Sequence, residues 1–175
     1  MKRISLILAC LIAISCNAQT KKNATDKKVS AEQKERLIRM NKQLLNNESV
    51  QIDNYIQEHH LTMKRSGSGL RYLISVGKGS PVKHKDAEKV SVAYTLTDLK
   101  GNVFYVVKTS DPLVFNPGRS ELIRGIQEAT LYMNPGDEAS LIIPSHLGYG
   151  KNGDGKKVPP SSVLLCKLQV LKIEQ

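Results

Sequence analysis

Tyr149 stands between Gly148 and Gly150 in a loop, residues 144–160, that is rich in glycine and lysine. A tyrosine so flanked has little packing reason to be there, and a long loop between two strands is often functional. Its ring belongs to a small stock. The 175 residues hold six Tyr, two Phe and no Trp, so any aromatic-lined pocket must be assembled from those side chains. Proton-transfer and metal-binding groups are no more abundant. His146 is the one histidine near Tyr149, and a lone loop histidine is ordinarily a surface residue. His59 and His60 are adjacent on a helical pattern, where neighbouring side chains point apart, so they make no metal pair. Cys166 falls in an alternating apolar run and reads as buried filler rather than as a nucleophile. Neither a metal site nor a cofactor is expected.

The elements that carry these residues show in the apolar period. From Leu70 it is two: Leu70, Tyr72, Ile74 and Val76 alternate with more polar positions, and so do Val90, Val92, Tyr94 and Leu96. Residues 98–102 contain a Gly and read as a hairpin turn. Residues 104–115 read as a strand interrupted by a bulge, because Pro112 has no N–H for the ladder. Residues 121–133 carry a helical pattern, with Leu122, Ile123, Ile126 and Met133 apolar, and Asn134-Pro135-Gly136-Asp137 ends it with a turn. Ala139, Leu141 and Ile143, then Leu164, Cys166, Leu168 and Val170, alternate again. Half-buried strands with one short helix predict an α+β fold, an antiparallel sheet packed on that helix.

The chain before residue 67 differs. Lys2 and Arg3 precede an apolar run, residues 4–14, too short to span a bilayer, which is the pattern of an export signal. Two endings fit. Ala13-Ile14-Ser15-Cys16 resembles a lipobox, with cleavage before Cys16 and acylation of that residue. Alternatively Cys16-Asn17-Ala18 is a small-residue cleavage site before Gln19, so that residues 1–18 are removed. A buried N-terminal helix does not fit, because polar, Lys-rich sequence follows at once. If Cys10 leaves with the signal and Cys16 carries lipid, only Cys166 remains and no internal disulfide can form. Residues 19–30 read as a flexible tether, and residues 31–66 as a helical extension ending at Ser66-Gly67-Ser68-Gly69. Ser30 and Gln33 have capping-box spacing. Leu37, Met40, Leu44 and Leu45 form one apolar stripe, Ile52, Tyr55 and Ile56 a second, with a break expected at Asn46 and Asn47. The stripes need a partner, either the following domain, residues 67–175, or a second copy of the chain. The formal net charge of +10 raises nucleic acid as a ligand. The lysines are scattered rather than striped and export removes the chain from most nucleic acid, so a solvated basic surface, drawn to anionic lipid head groups, is expected instead.

Several motifs in order carry a family likeness. Val92-Ala93-Tyr94-Thr95-Leu96, Gly101-Asn102-Val103-Phe104, Glu121-Leu122-Ile123-Arg124-Gly125-Ile126, Met133-Asn134-Pro135-Gly136-Asp137, Ile143-Pro144-Ser145-His146-Leu147-Gly148-Tyr149-Gly150 and Val158-Pro159-Pro160 together resemble FKBP-type peptidyl-prolyl cis-trans isomerases over about residues 69–174. The likeness extends to exported bacterial members and, within them, to lipoproteins associated with gliding motility. It implies a five-stranded antiparallel sheet curled around a short helix, with an apolar pocket between them that binds a proline ring. It implies that Tyr94, Phe104 and Tyr149 act on the substrate, the Tyr149 hydroxyl as a hydrogen-bond donor. Leu122, Ile123, Ile126 and Val158 would line the pocket, with the Ile123 backbone N–H as a further donor and Ile126 as the floor. The sequence departs from the family at the floor, where Trp is common, at Tyr105, where an acid is usual, and at Leu113 and Cys166, where aromatics are usual.

The function implied is isomerisation of X–Pro bonds in proline-containing exported clients. The alternative is a non-catalytic chaperone or binding module that uses the same pocket to hold them. The expected location is the cell envelope, lipid-anchored and facing the periplasm, or else soluble in the periplasm, with a homodimer through the N-terminal helices as a further expectation. Mass spectrometry of the mature N-terminus tests the anchor: an acylated Cys16 is expected, and a chain beginning at unmodified Gln19 would overturn it.

Overall fold

The computed structural model describes residues 32–75 and 89–174. The signal, the tether, Cys16, Ser30 and Val76 lie outside those residues. The described residues fall into two compact units divided between Leu45 and Asn46. In the first, residues 32–45 are helical, and Leu37, Ile38, Met40 and Leu45 are exposed. In the second, residues 46–58 are helical and are termed α1. Asn46 and Asn47 are themselves helical, so the expected break is not present.

The rest of the second unit runs β1 (Lys64–Arg65), β2 (Arg71–Ser75), β3 (Lys89–Thr97), β4 (Val103–Val107), β5 (Leu113–Phe115), α2 (Arg124–Thr130), β6 (Glu138–Ile143) and β7 (Leu164–Glu174). Every pairing is antiparallel, in the order β1-β2-β6-β7-β3-β4, with β5 also on β3. The β4 and β5 segments are halves of the strand expected over 104–115, parted around Pro112. The two-residue β1 extends the β2 edge. Counted so, the sheet is the five-stranded one expected. Asp98 closes the β3–β4 turn: its Oδ1 accepts the backbone N–H groups of Lys100 at 2.9 Å and Asn102 at 2.8 Å.

Alternation sorts the strands into two faces. On one, Val90, Val92, Leu96, Leu141, Ile143, Leu164, Cys166, Leu168 and Val170 are buried with Ile126, Ala129 and Met133 from α2 and the turn after it. Ile142 points the other way and forms a second buried cluster with Ile52 and Val163, flanked by Tyr55, Ile56 and Leu165. The second apolar stripe of the extension therefore packs on the sheet. Full burial of a side chain such as Ile52 is worth about 1.5–3 kcal/mol.

Two buried charges fix α1 in place. Glu48, 4% exposed, accepts from the Ser145 backbone N–H at 3.0 Å and from its hydroxyl at 2.5 Å. Arg71, also 4% exposed, donates to Asp53 at 2.7 Å, to the Gly69 carbonyl at 2.8 Å and to Ser49 at 3.3 Å. Charges withdrawn from water need such partners.

The α2 helix is shorter than the 121–133 pattern predicts. Ile123 is extended, with φ −54° and ψ 139°. The Gln127 amide caps the preceding turn by donating to the carbonyls of Ser120 and Leu122. Beyond Thr130 the bonds tighten to i→i−3, as in Tyr132 N–H to Ala129 and Met133 N–H to Thr130, and Pro135 forbids continuation.

The boundary expected between residues 66 and 67 falls inside the second compact unit. A chain begun at Gly67 keeps β2–β7 and α2 but loses β1, Ile52, Glu48 and Asp53. It is expected to unfold cooperatively, at a lower melting temperature than a chain begun at Asn46. Equal melting temperatures would show that α1 adds nothing to the core.

Candidate functional site

Two close approaches build the site. A Cβ on Gly125 would lie 2.5 Å from the Ile143 Cγ2, so glycine lets α2 sit directly on β6. That contact brings Leu122 and Ile123, just ahead of the helix, beside the loop after β6. The second is in the loop after β6. Gly153 has φ +67°, and a Cβ there would collide with the Val158 carbonyl oxygen, so only glycine closes the loop at that point.

All seven side chains expected at the site belong to one apolar cluster. Ile126 is fully buried, and Val158 and Ile123 nearly so, while Tyr94, Phe104, Leu122 and Tyr149 are half-buried around them. A cleft of about 800 Å3 adjoins the cluster between the start of α2 and the loop. Leu122, Ile123 and Tyr149 border it together with Ser120, Gln127 and His146. Tyr94, Phe104, Ile126 and Val158 do not border it. Another depression, about 530 Å3, lies over Thr95, Lys108, Ser140 and Lys167 and is walled mainly by polar side chains. It touches only Tyr94 of the expected set.

The phenols are held protonated. Burial first, then the neighbouring Tyr149 and Cys166, pushes Tyr94 up to about 12. Tyr149 is also raised, by burial and then by the Asp154 charge. Both hydroxyls therefore remain potential donors at neutral pH. Among the described residues the Tyr149 hydroxyl makes no hydrogen bond. The Ile123 carbonyl accepts the first helical bonds, from Ile126 at 3.1 Å and Gln127 at 3.3 Å. Cys166 is raised by burial, consistent with a filler role.

Sequence reasoning noted Tyr105 as a departure but gave neither it nor Asp154 a place at the site. In the structure they are partners, the Tyr105 hydroxyl donating to Asp154 Oδ2. The other carboxylate oxygen gathers three backbone N–H groups, from Lys156 and Lys157 at 2.9 Å and Val158 at 2.7 Å. The Tyr105 ring lies 6.3 Å from that of Tyr149, and the Lys157 ammonium stands 5.2 Å from its centroid. The Asp154 bond raises Tyr105 to about 12, with desolvation adding to it. Desolvation works to raise Asp154, but the Tyr105 hydroxyl and the backbone donors outweigh it and hold the carboxyl well below its ordinary range. Gly153-Asp154-Gly155 is a turn signal, so a local Asp154 cap was readable. The bond to Tyr105 spans 49 residues and has no local signature.

The model of the FKBP-type peptidyl-prolyl cis-trans isomerase family matches residues 80–171, and the chain belongs to that family. By family it is a peptidyl-prolyl cis-trans isomerase. It is 37% identical over 93 residues to FK506-binding protein 2 of Dictyostelium discoideum, covering 53% of this chain and 70% of that protein. With the human peptidyl-prolyl cis-trans isomerase FKBP2 it shares 32% identity over 96 residues, 54% of this chain and 68% of the relative. The crystal structure of FkpA from Escherichia coli aligns with a TM-score of 0.62 at 29% identity, over 78% of this chain and 63% of that one. A peptidyl-prolyl cis-trans isomerase from Pseudomonas syringae shares the fold, with a TM-score of 0.60 at 21% identity, over 77% of this chain and 96% of the other.

The depressed Asp154 carboxyl has a pH consequence. Its folded value lies below the unfolded one, about 3.9. Its contribution to loop order is thus fully present above that value and is lost only as pH falls through the folded value. Amide protection of Lys156, Lys157 and Val158 is therefore expected to stay constant from neutral pH down to about 4. Loss of protection between pH 5 and 6 would show that the carboxylate is not held as described.

Proposed function

We propose that this chain isomerises X–Pro bonds in exported proteins while tethered to the envelope through acylated Cys16. The observation that carries the site assignment is the convergence of Tyr94, Phe104, Leu122, Ile123 and Tyr149 on one apolar cluster beside the cleft. A peptide bond resists rotation by about 18–20 kcal/mol because resonance stiffens it. At X–Pro the planar isomers differ by only about 0.5–1 kcal/mol, so the barrier is what a catalyst must lower. Rotation transfers no proton and breaks no bond. It suffices to bind the twisted amide better than either planar form. The twisted amide has lost resonance and has a less polar carbonyl, so apolar walls disfavour the planar states relative to it. In this reading Leu122, Ile123, Ile126 and Val158 supply the apolar surroundings and Tyr94 and Phe104 hold the ring. The Tyr149 hydroxyl donates to a backbone carbonyl of the client.

Further features support the wider reading. The short apolar run before Cys16 favours export and acylation, and the likeness to gliding-motility lipoproteins points the same way. Leu37, Met40 and Leu45 are 57%, 53% and 44% exposed, more apolar surface than a spacer requires, which favours pairing of two copies through the N-terminal helices. A second reading, a binding module without turnover, is favoured by Ile126, which is fully buried and offers a client no open floor.

A protease-coupled assay on a proline peptide separates the two: turnover is expected, and binding without turnover would leave the module. Within that assay Tyr149→Phe is expected to weaken peptide binding while leaving the melting temperature nearly unchanged. Loss of one hydrogen bond, about 0.5–1.5 kcal/mol, corresponds to roughly two- to tenfold in affinity. Full affinity with a lowered melting temperature would place Tyr149 in the packing instead.

A further inference from the structure

We infer that Tyr105 is a positioning residue, which through its bond to Asp154 holds the 144–160 loop in the shape that seats Val158 in the apolar cluster and presents Tyr149 to a client. The inference rests on the site proposed above. Tyr149 and Val158 stand at opposite ends of one stretch of chain, and between them lie the short 3-10 turn Gly150–Asn152, Gly153 and Asp154. The Asp154 carboxylate organises the far end, since one oxygen takes the N–H groups of Lys156, Lys157 and Val158. Two backbone bonds pin the same stretch, Asp154 N–H to the Val158 carbonyl at 3.2 Å and Ser161 N–H to that of Gly150 at 2.9 Å. All of these lie within the loop and its immediate exit. None ties it to the sheet.

Tyr105 supplies that tie. It sits on β4, opposite Leu96 of β3, and packs against the core cluster beside Phe104. From there its hydroxyl reaches the second Asp154 oxygen, and its ring stands near Tyr149 on one side and the Lys157 ammonium on the other. One side chain thus meets Tyr149 at one end of that stretch and Asp154 and Lys157 toward the other, from a strand paired into the sheet. A loop already held in its binding shape spares the client the ordering cost that a free loop would impose on association. Such a saving applies alike to the bound planar and twisted amides. It therefore acts on KM and leaves kcat nearly unchanged.

The test uses the full chain and Tyr105→Phe, which keeps the ring and removes only the link. A proline-containing chromogenic tetrapeptide in the protease-coupled assay is expected to show KM raised about three- to tenfold with kcat within about twofold. Hydrogen exchange at residues 154–158 is expected to quicken, and the melting temperature to shift little. Asp154→Asn keeps an oxygen for the backbone donors but puts a neutral amide where the Tyr105 hydroxyl had a charged acceptor, and is expected to raise KM and quicken the same exchange in the same direction as Tyr105→Phe. Unchanged KM and unchanged exchange in Tyr105→Phe would overturn the inference. So would a raised KM with unchanged exchange, since the phenol would then be touching the peptide directly. If the parent chain has no isomerase activity, the proposed function fails, and exchange in the two variants still decides whether the link orders the loop.

Discussion

A seven-residue helix does not persist in water alone, because the first turn costs more than the few bonds that follow can return. The existence of α2 depends on its contact with the sheet. Gly125 is what permits that contact, by allowing the Ile143 side chain against the helix backbone, and Ile126 and Ala129 then close the core beside it. The rest of the site follows from this one approach. Leu122 and Ile123 are placed by the chain entering α2, the Gln127 side chain ties that entering turn to the helix, and the cleft is the space left between the turn and the loop after β6. A larger residue at 125 would push the helix outward and move both walls at once.

The sheet has a second packed face. Ile142 and Val163 are covered by Ile52 of α1, and the buried Glu48 reaches Ser145, four residues before Tyr149. The segment that looks like a spacer in sequence is thus, from residue 46 onward, packed on the domain and hydrogen-bonded at the base of the functional loop. Leu37, Ile38, Met40 and Leu45, before position 46, remain exposed, so the helical extension 31–66 divides into parts with different fates.

The strands were legible because most are half-buried: one face meets the core and the other meets water, and that contrast writes a period of two into Val90–Leu96 and Leu164–Val170. The extent of α2 was less legible. Leu122 and Ile123 are apolar at helical spacing, yet they serve an extended turn and the rim of the cleft, so hydrophobicity there records burial and not helix. The apolar residues expected at the site came from the family likeness, whose motifs follow one another in order along the chain. Tyr105–Asp154 was not legible, since two polar residues far apart in sequence show no periodicity. Glu48 and Arg71 were hidden for a related reason, as a buried charge and a solvated one look the same until their partners are known.

Cys166 lies 2% exposed on β7, paired with Leu96 of β3 on one side and Leu141 of β6 on the other. Burial raises its thiol, so in the folded chain almost none of it is the nucleophilic thiolate and little of it meets solvent. A thiol-reactive dye can reach this sulfur only when the sheet face packed against α2 is uncovered. The rate of labelling at Cys166 is therefore a clock for opening of the sheet's interior, built into the natural sequence and needing no added probe.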